Sequence, residues 1–205
     1  MGRLEPRLVP KQGRSVETRA RILEAAARVF ASHGYGKGTT NRIAEEAGLS
    51  VGSVYQYFPN KDAILVELAR AHVQQGEALI AARFADPDLP TDLEGRTRVF
   101  VEAAVANHID QPRLHEVLFE QAPWSTELVA EFRAFEARTV AAAEALLATD
   151  PSVQVPDLRA AATIVVGTIE ALTHRFVVSQ PESLSVPAFV DETVALVSRY
   201  LTGGG

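Results

Sequence analysis

The sequence predicts an all-α fold of about nine helices, an N-terminal helix-turn-helix domain followed by a larger helical C-terminal domain. Three observations predict it. Alanine, leucine, glutamate and arginine, all good helix formers, dominate the chain. Apolar residues recur at three- and four-residue steps, with no convincing strand and no internal repeat. Glycines, prolines and capping residues divide the chain into helix-length segments, two of them short and joined by a glycine turn.

The elements follow in order. Residues 1–14 hold two prolines and the basic side chains Arg3, Arg7, Lys11 and Arg14, and read as a flexible basic arm. Helix 1 is expected over 15–33, with Ser15 as N-cap, a stripe of Ile22, Ala26, Val29 and Phe30, and Gly34 as its stop. Helix 2 is expected over 41–47, with Thr39 or Thr40 as cap and Ile43, Ala44 and Ala47 facing inward. Gly48 follows, and glycine is the residue best able to take the left-handed conformation of a sharp turn. Ser50 caps helix 3, over 51–57, and Pro59 ends it by biasing Phe58 away from helical angles. Asn60 caps helix 4, which carries Asp62 in its first turn, where the helix dipole favours an acid, and runs to about Phe84. Five more helices are expected over 91–110, 112–120, 125–148, 157–178 and 187–202. The domains are then 15–61 and 62–205.

Composition bounds the chemistry. The 205 residues include no cysteine, which removes disulfides, thiolate nucleophiles and cysteine-based metal sites. The N-terminus has no apolar run of a secretory leader, and no apolar run of ~18 residues is expected to span a membrane. A cytoplasmic protein is the expectation. The net charge is −6, yet residues 1–70 carry 11 basic and 7 acidic side chains, against 9 and 19 in residues 71–205. A basic head on an acidic body is a charge asymmetry of the kind seen where one part of a chain meets a polyanion.

The head also carries the densest pattern. In the segment LSVGSVYQYFPNKDAIL, two tyrosines, a glutamine and two serines crowd a seven-residue helix and its cap. Ala44 and Ala47 are small enough for helix 3 to cross helix 2 closely, and Leu49, Val54 and Phe58 fill the space beneath. The outer face of helix 3 is left with Val51, Gly52, Ser53, Tyr55, Gln56 and Tyr57, which include no acid. Such a face can approach phosphates and base edges without charge repulsion.

The segment TTNRIAEEAGLSVGSVYQYFPNKDAIL resembles the DNA-binding signature of the tetracycline-repressor (TetR) family, through Thr40, Ile43, Ala44, Ala47, Gly48, Ser50, Gly52, Tyr55, Tyr57, Phe58 and Lys61. The resemblance covers residues 15–70 and implies a homodimeric, ligand-responsive repressor of double-stranded operator DNA. By position it implies a DNA-binding set of Thr40, Asn41, Ser50, Val51, Ser53, Tyr55, Gln56, Tyr57 and Lys61, with phosphate contacts from Thr40, Tyr55 and Lys61, base-edge contacts from Val51, Ser53, Gln56 and Tyr57, and Asn41 contributing from the start of helix 2. Val51 departs from hydrogen-bonding readout, since its side chain can only touch a thymine methyl.

The acidic body is expected to hold an effector site and a dimer face. Phe100, Phe119, Trp124, Phe132 and Phe135, with His108 and His174, are the candidates for a largely apolar pocket holding an unidentified small molecule. Small and apolar residues on the last two helices (Ile164, Gly167, Thr168, Ala171, Val190, Val194 and Val197) are the candidates for a four-helix dimer interface. No metal or cofactor is expected: His115, Glu116 and Glu120 do not share one helical face, and no HxxxH pair occurs. An enzyme is disfavoured by the lack of a Gly-x-Ser-x-Gly, a phosphate loop or a dinucleotide fingerprint.

Overall fold

The computed structural model describes residues 13–110, 112–118, 125–179 and 181–203. Among them are α1 (Gly13–Lys37), α2 (Thr40–Glu46), α3 (Val51–Tyr57), α4 (Lys61–Phe84), α5 (Leu93–Ile109), α6 (Pro112–Glu116), α7 (Thr126–Leu147), α8 (Leu158–Ser179) and α9 (Val186–Leu201), with no strand. Residues 1–12 of the expected basic arm, Phe119, Glu120 and Trp124 lie outside the described residues, while residues 13 and 14 of the arm belong to α1.

The chain forms two compact units. The first takes the described residues up to His72 together with 112–118 and 125–129. Its core is built from α1 (Ile22, Phe30), α2 (Ile43), α3 (Val54), Phe58, and the start of α4 (Ile64, Leu65), all fully buried. Leu114, Val117, Leu118 and Leu128 close the same core. Each such side chain contributes about 1.5–3 kcal/mol of burial free energy.

Caps set the helix limits. Helix α1 starts at Gly13, so Ser15 lies inside it rather than capping it, and it reaches Lys37 rather than His33, with Gly34 breaking it at φ 69. Thr39, not Thr40, caps α2 by accepting from the Arg42 N–H. Asn60 Oδ1 accepts from the Ala63 N–H at 2.8 Å and opens α4.

The second unit takes residues 73–110 and the described residues from 130 onward. Asp92 caps α5, its carboxylate accepting from the Gly95 N–H at 2.8 Å. Leu93, Thr97, Phe100, Val101, Ala104, Val105 and His108 are buried on α5 at helical spacing, a stripe wide enough to pack on both α8 and α9. Phe176 and Phe189 stack at 4.3 Å between α8 and α9. Helix α8, with 22 residues and a mean hydropathy of 1.3 in its most apolar window, is long and apolar enough to cross a membrane by length and composition alone, a test that a core helix passes as well. Here one of its faces is core, through Ala161, Ala162, Val165, Val166, Ile169, Thr173, Phe176 and Val177.

Candidate nucleic-acid interface

The turn between α2 and α3 is held from both sides. Gly48 takes φ 64, and the Leu49 N–H reaches back to the Ala44 carbonyl at 2.9 Å. The Ala47 carbonyl, at the end of α2, accepts from an Arg21 guanidinium N–H at 2.7 Å. Helix α1 supplies two more arginines. Arg19 lies 5.5 Å from the Phe58 ring centroid and pairs with Glu67 of α4 at 2.5 Å, while Arg28 pairs with Glu46 of α2 at 2.7 Å. The Arg28 pair is exposed, so it contributes about 0.2–1 kcal/mol. The charge-assisted bond from Arg21 closes a helix end and contributes about 1.5–3 kcal/mol. Most basic side chains of α1 are therefore spent on holding the reader in place.

Helix α3 then presents its face. Ser50 caps it, its Oγ accepting from the Ser53 N–H at 3.0 Å and lying 2.8 Å from the Ser53 Oγ. Val54 is buried, whereas Gly52, Tyr55 and Gln56 are exposed, Tyr55 by 43%. Val51 and Tyr57 are half-buried and pack on the core of this unit. The Ser15 Oγ donates to the Tyr57 hydroxyl at 3.4 Å. On α2, Asn41 is exposed and Thr40 half-buried, and Arg42 beside them is an exposed cation that is absent from the residues expected from sequence.

Lys61 is more occupied than a free phosphate ligand. Its ammonium donates to the Tyr35 carbonyl at 2.8 Å and sits 3.9 Å from the Tyr35 ring centroid. The Tyr35 hydroxyl donates to Asp62, and burial together with that carboxylate pushes the phenol well above its ordinary range. An ammonium has three donors, so Lys61 can brace the start of α4 and still offer N–H groups outward.

The pattern described as bacterial regulatory proteins, tetR family, matches residues 22–68, and that described as tetracyclin repressor-like, C-terminal domain, matches residues 92–201. The chain belongs to the TetR family. It is 38% identical over 65 residues to the HTH-type transcriptional repressor Rv1474c of Mycobacterium tuberculosis, a match covering 32% of this chain and only 34% of that one. It is 27% identical over 179 residues to the HTH-type transcriptional regulator YdgC of Bacillus subtilis, covering 85% of this chain and 90% of that one. The crystal structure of a TetR-family regulatory protein from Rhodococcus RHA1 superposes with a TM-score of 0.73 at 27% identity, covering 90% of this chain and 97% of that one.

TetR proteins carry a second, helical domain, and the second unit here holds a cavity. A half-open chamber of about 80 Å³ is lined mainly by apolar side chains, among them Phe84, Leu93, Phe100, Val166, Ile169 and Leu201. A wider cleft of about 470 Å³ shares Ile80, Phe84, Thr139, Ala142 and Leu146 with it and adds Phe135. The walls carry charges of both signs. Arg96 and Asp150 both line the chamber, with Arg96 holding Asp150 below its ordinary range after the Ser152 hydrogen bonds, and Arg138 bonds Glu77 at 2.8–2.9 Å on the cleft.

Of the pocket candidates, Phe100 and Phe135 line these cavities, whereas His108, Phe132 and His174 are not among the lining residues. His108 is core: its Nδ1–H donates to the Ala104 carbonyl at 2.5 Å, and burial holds its pKa down. Its Nε2 lies 3.9 Å from Glu170, whose carboxyl is pushed up by burial, with His174 opposing and Glu136 reinforcing the shift. In the first unit, the His115 ring meets His72 edge-on at 5.0 Å.

The dimer candidates divide. Ile164 is 53% exposed, Gly167 and Ala171 are exposed, and Thr168 is half-buried, so the outer face of α8 is free to meet a partner. Val190, Val194 and Val197 are corrected to core, at 4%, 2% and 3% exposure. The most apolar stripe of α9 is consumed by the chain's own packing, and its outward apolar residues are Leu196 and Tyr200.

Proposed function

We propose that this chain is a ligand-responsive transcriptional repressor that binds a palindromic operator as a homodimer and is released by a small apolar or amphipathic effector. The observation that carries this reading is the exposed, acid-free face of α3, held on a turn fixed by Gly48 and Arg21. Base-edge contacts would come from Val51, Ser53, Gln56 and Tyr57 and phosphate contacts from Thr40, Tyr55 and Lys61, with Asn41 and Ser50 contributing from the starts of α2 and α3. A regulator rather than an enzyme also suits the relatives, which are named as regulators. Such a protein works in the bacterial cytoplasm, where the DNA is.

The effector would occupy the chamber and cleft. Apolar walls reward an apolar body, and walls with one acid for each base offer no net positive charge to a strongly anionic head. Helix α4 carries the response. It starts at Lys61 and ends at Phe84, which lines the chamber. A shift of α4 changes the spacing of the two α3 helices, which DNA holds near ~34–36 Å. Effector and DNA then oppose each other reciprocally.

The test is salt. DNA binding through several phosphates weakens steeply as salt rises. A salt-independent association would instead mean a protein-contact module.

A further inference from the structure

Gly52 has no reason within the chain to be glycine. It lies inside α3, its φ is not in the left-handed region, and it is exposed. A methyl group built there would meet only the Ser50 Oγ, at 3.8 Å, an ordinary contact. Six other glycines are explained internally, whereas Gly36 in α1 and Gly167 in α8, like Gly52, are not, but neither lies on the face of α3. Gly34, Gly48 and Gly203 take positive φ, and a methyl at Gly38, Gly76 or Gly95 would press on Phe30, Asn107 or Pro90 at 2.5–2.8 Å. Glycine is a poor helix former, and α3 has only seven residues. A short helix carries this weakness at its second residue, on its exposed face.

The neighbours of Gly52 show what the gap does. Tyr55 and Gln56 lie three and four residues on, so they share its face, and both are exposed and long. The face is therefore stepped: bulky at the C-terminal end and bare to the backbone at Gly52. A partner that fits such a step meets the backbone at Gly52 and side chains further along. The floor of a major groove, met by a helix that enters tilted, has that shape.

We propose that Gly52 is a specificity-determining residue, a clearance that lets the backbone of α3 sit against base edges so that Gln56 and Tyr55 reach their own contacts. This rests on the operator-binding reading above. The clearance acts on base readout, not on phosphate attraction, because a methyl group changes no charge.

The test uses the full-length protein and two probes, the duplex recovered by the wild-type protein from a random-sequence pool and a scrambled duplex of the same length and composition. Wild-type binding to the recovered duplex tests the operator reading, and the variant tests the clearance. Gly52→Ala is expected to bind the recovered duplex about tenfold or more weakly, as a lost base contact does. Its affinity for the scrambled duplex stays the same, and its melting temperature is unchanged or slightly higher. Gly52→Ser is expected to behave alike. Unchanged affinity for the recovered duplex would overturn the proposal. So would an equal loss on both duplexes, or a lowered melting temperature, which would assign Gly52 a role inside the fold.

Discussion

Tyr55 and Lys61 differ in how far the fold already uses them, and their substitutions should differ in kind. Tyr55 is 43% exposed on α3, so Tyr55→Phe is expected to weaken binding to the recovered duplex several-fold with the melting temperature unchanged. Lys61 braces the Tyr35 carbonyl, so Lys61→Ala should lower both affinity and melting temperature. Parallel calorimetry and titration separate the two. A stable Lys61→Ala protein would mean that the contact with Tyr35 contributes nothing. These side chains were legible in the sequence as an acid-free cluster, because they lie within a dozen residues of one another. The second occupation of Lys61 was not, since Tyr35 lies 26 residues away and meets it only in the folded chain.

Among the elements, the two short helices depend on α1. Removing the Arg21 side chain leaves the end of α2 without its closing donor. Arg21→Ala is expected to cost about 1.5–3 kcal/mol, which lowers the melting temperature by several degrees. Phe58→Ala empties a fully buried site beneath the reader and should cost about 3–5 kcal/mol. Thermal unfolding measures both, and a neutral Arg21→Ala would show that water replaces the guanidinium at no cost. Helix existence and caps were readable from the sequence because their signals are local, as at Ser50 and Asn60. The helix faces were less so. Periodicity marks Val190, Val194 and Val197 as a buried stripe, but it does not say whether the burial is against the same chain or another. The same limit hid the chamber, whose walls come from α4, α5, α7, α8 and α9 and converge only in three dimensions.

For the whole molecule, pH and assembly give independent checks. In the unfolded chain His108 takes up a proton as pH falls through its ordinary value of ~6.5, whereas the folded chain, whose His108 pKa is lowered, takes it up only at lower pH. The unfolded state binds more protons in that window, so acidification there destabilises the fold. His108→Gln is expected to lose less melting temperature than the wild-type protein between neutral and mildly acidic pH. An identical loss would remove His108 from the account. Assembly is tested on α8: Ile164→Arg, on an exposed site, should yield a folded monomer by sedimentation that binds operator poorly.

The central claim is that α3 reads DNA as one of a symmetric pair, and selection of bound duplexes from a random-sequence pool at near-physiological salt tests it most directly. The account predicts one palindromic motif with half-sites about one helical turn apart, bound with a steep salt dependence. Recovery of no enriched motif by effector-free protein, or of binding indifferent to salt, would contradict it.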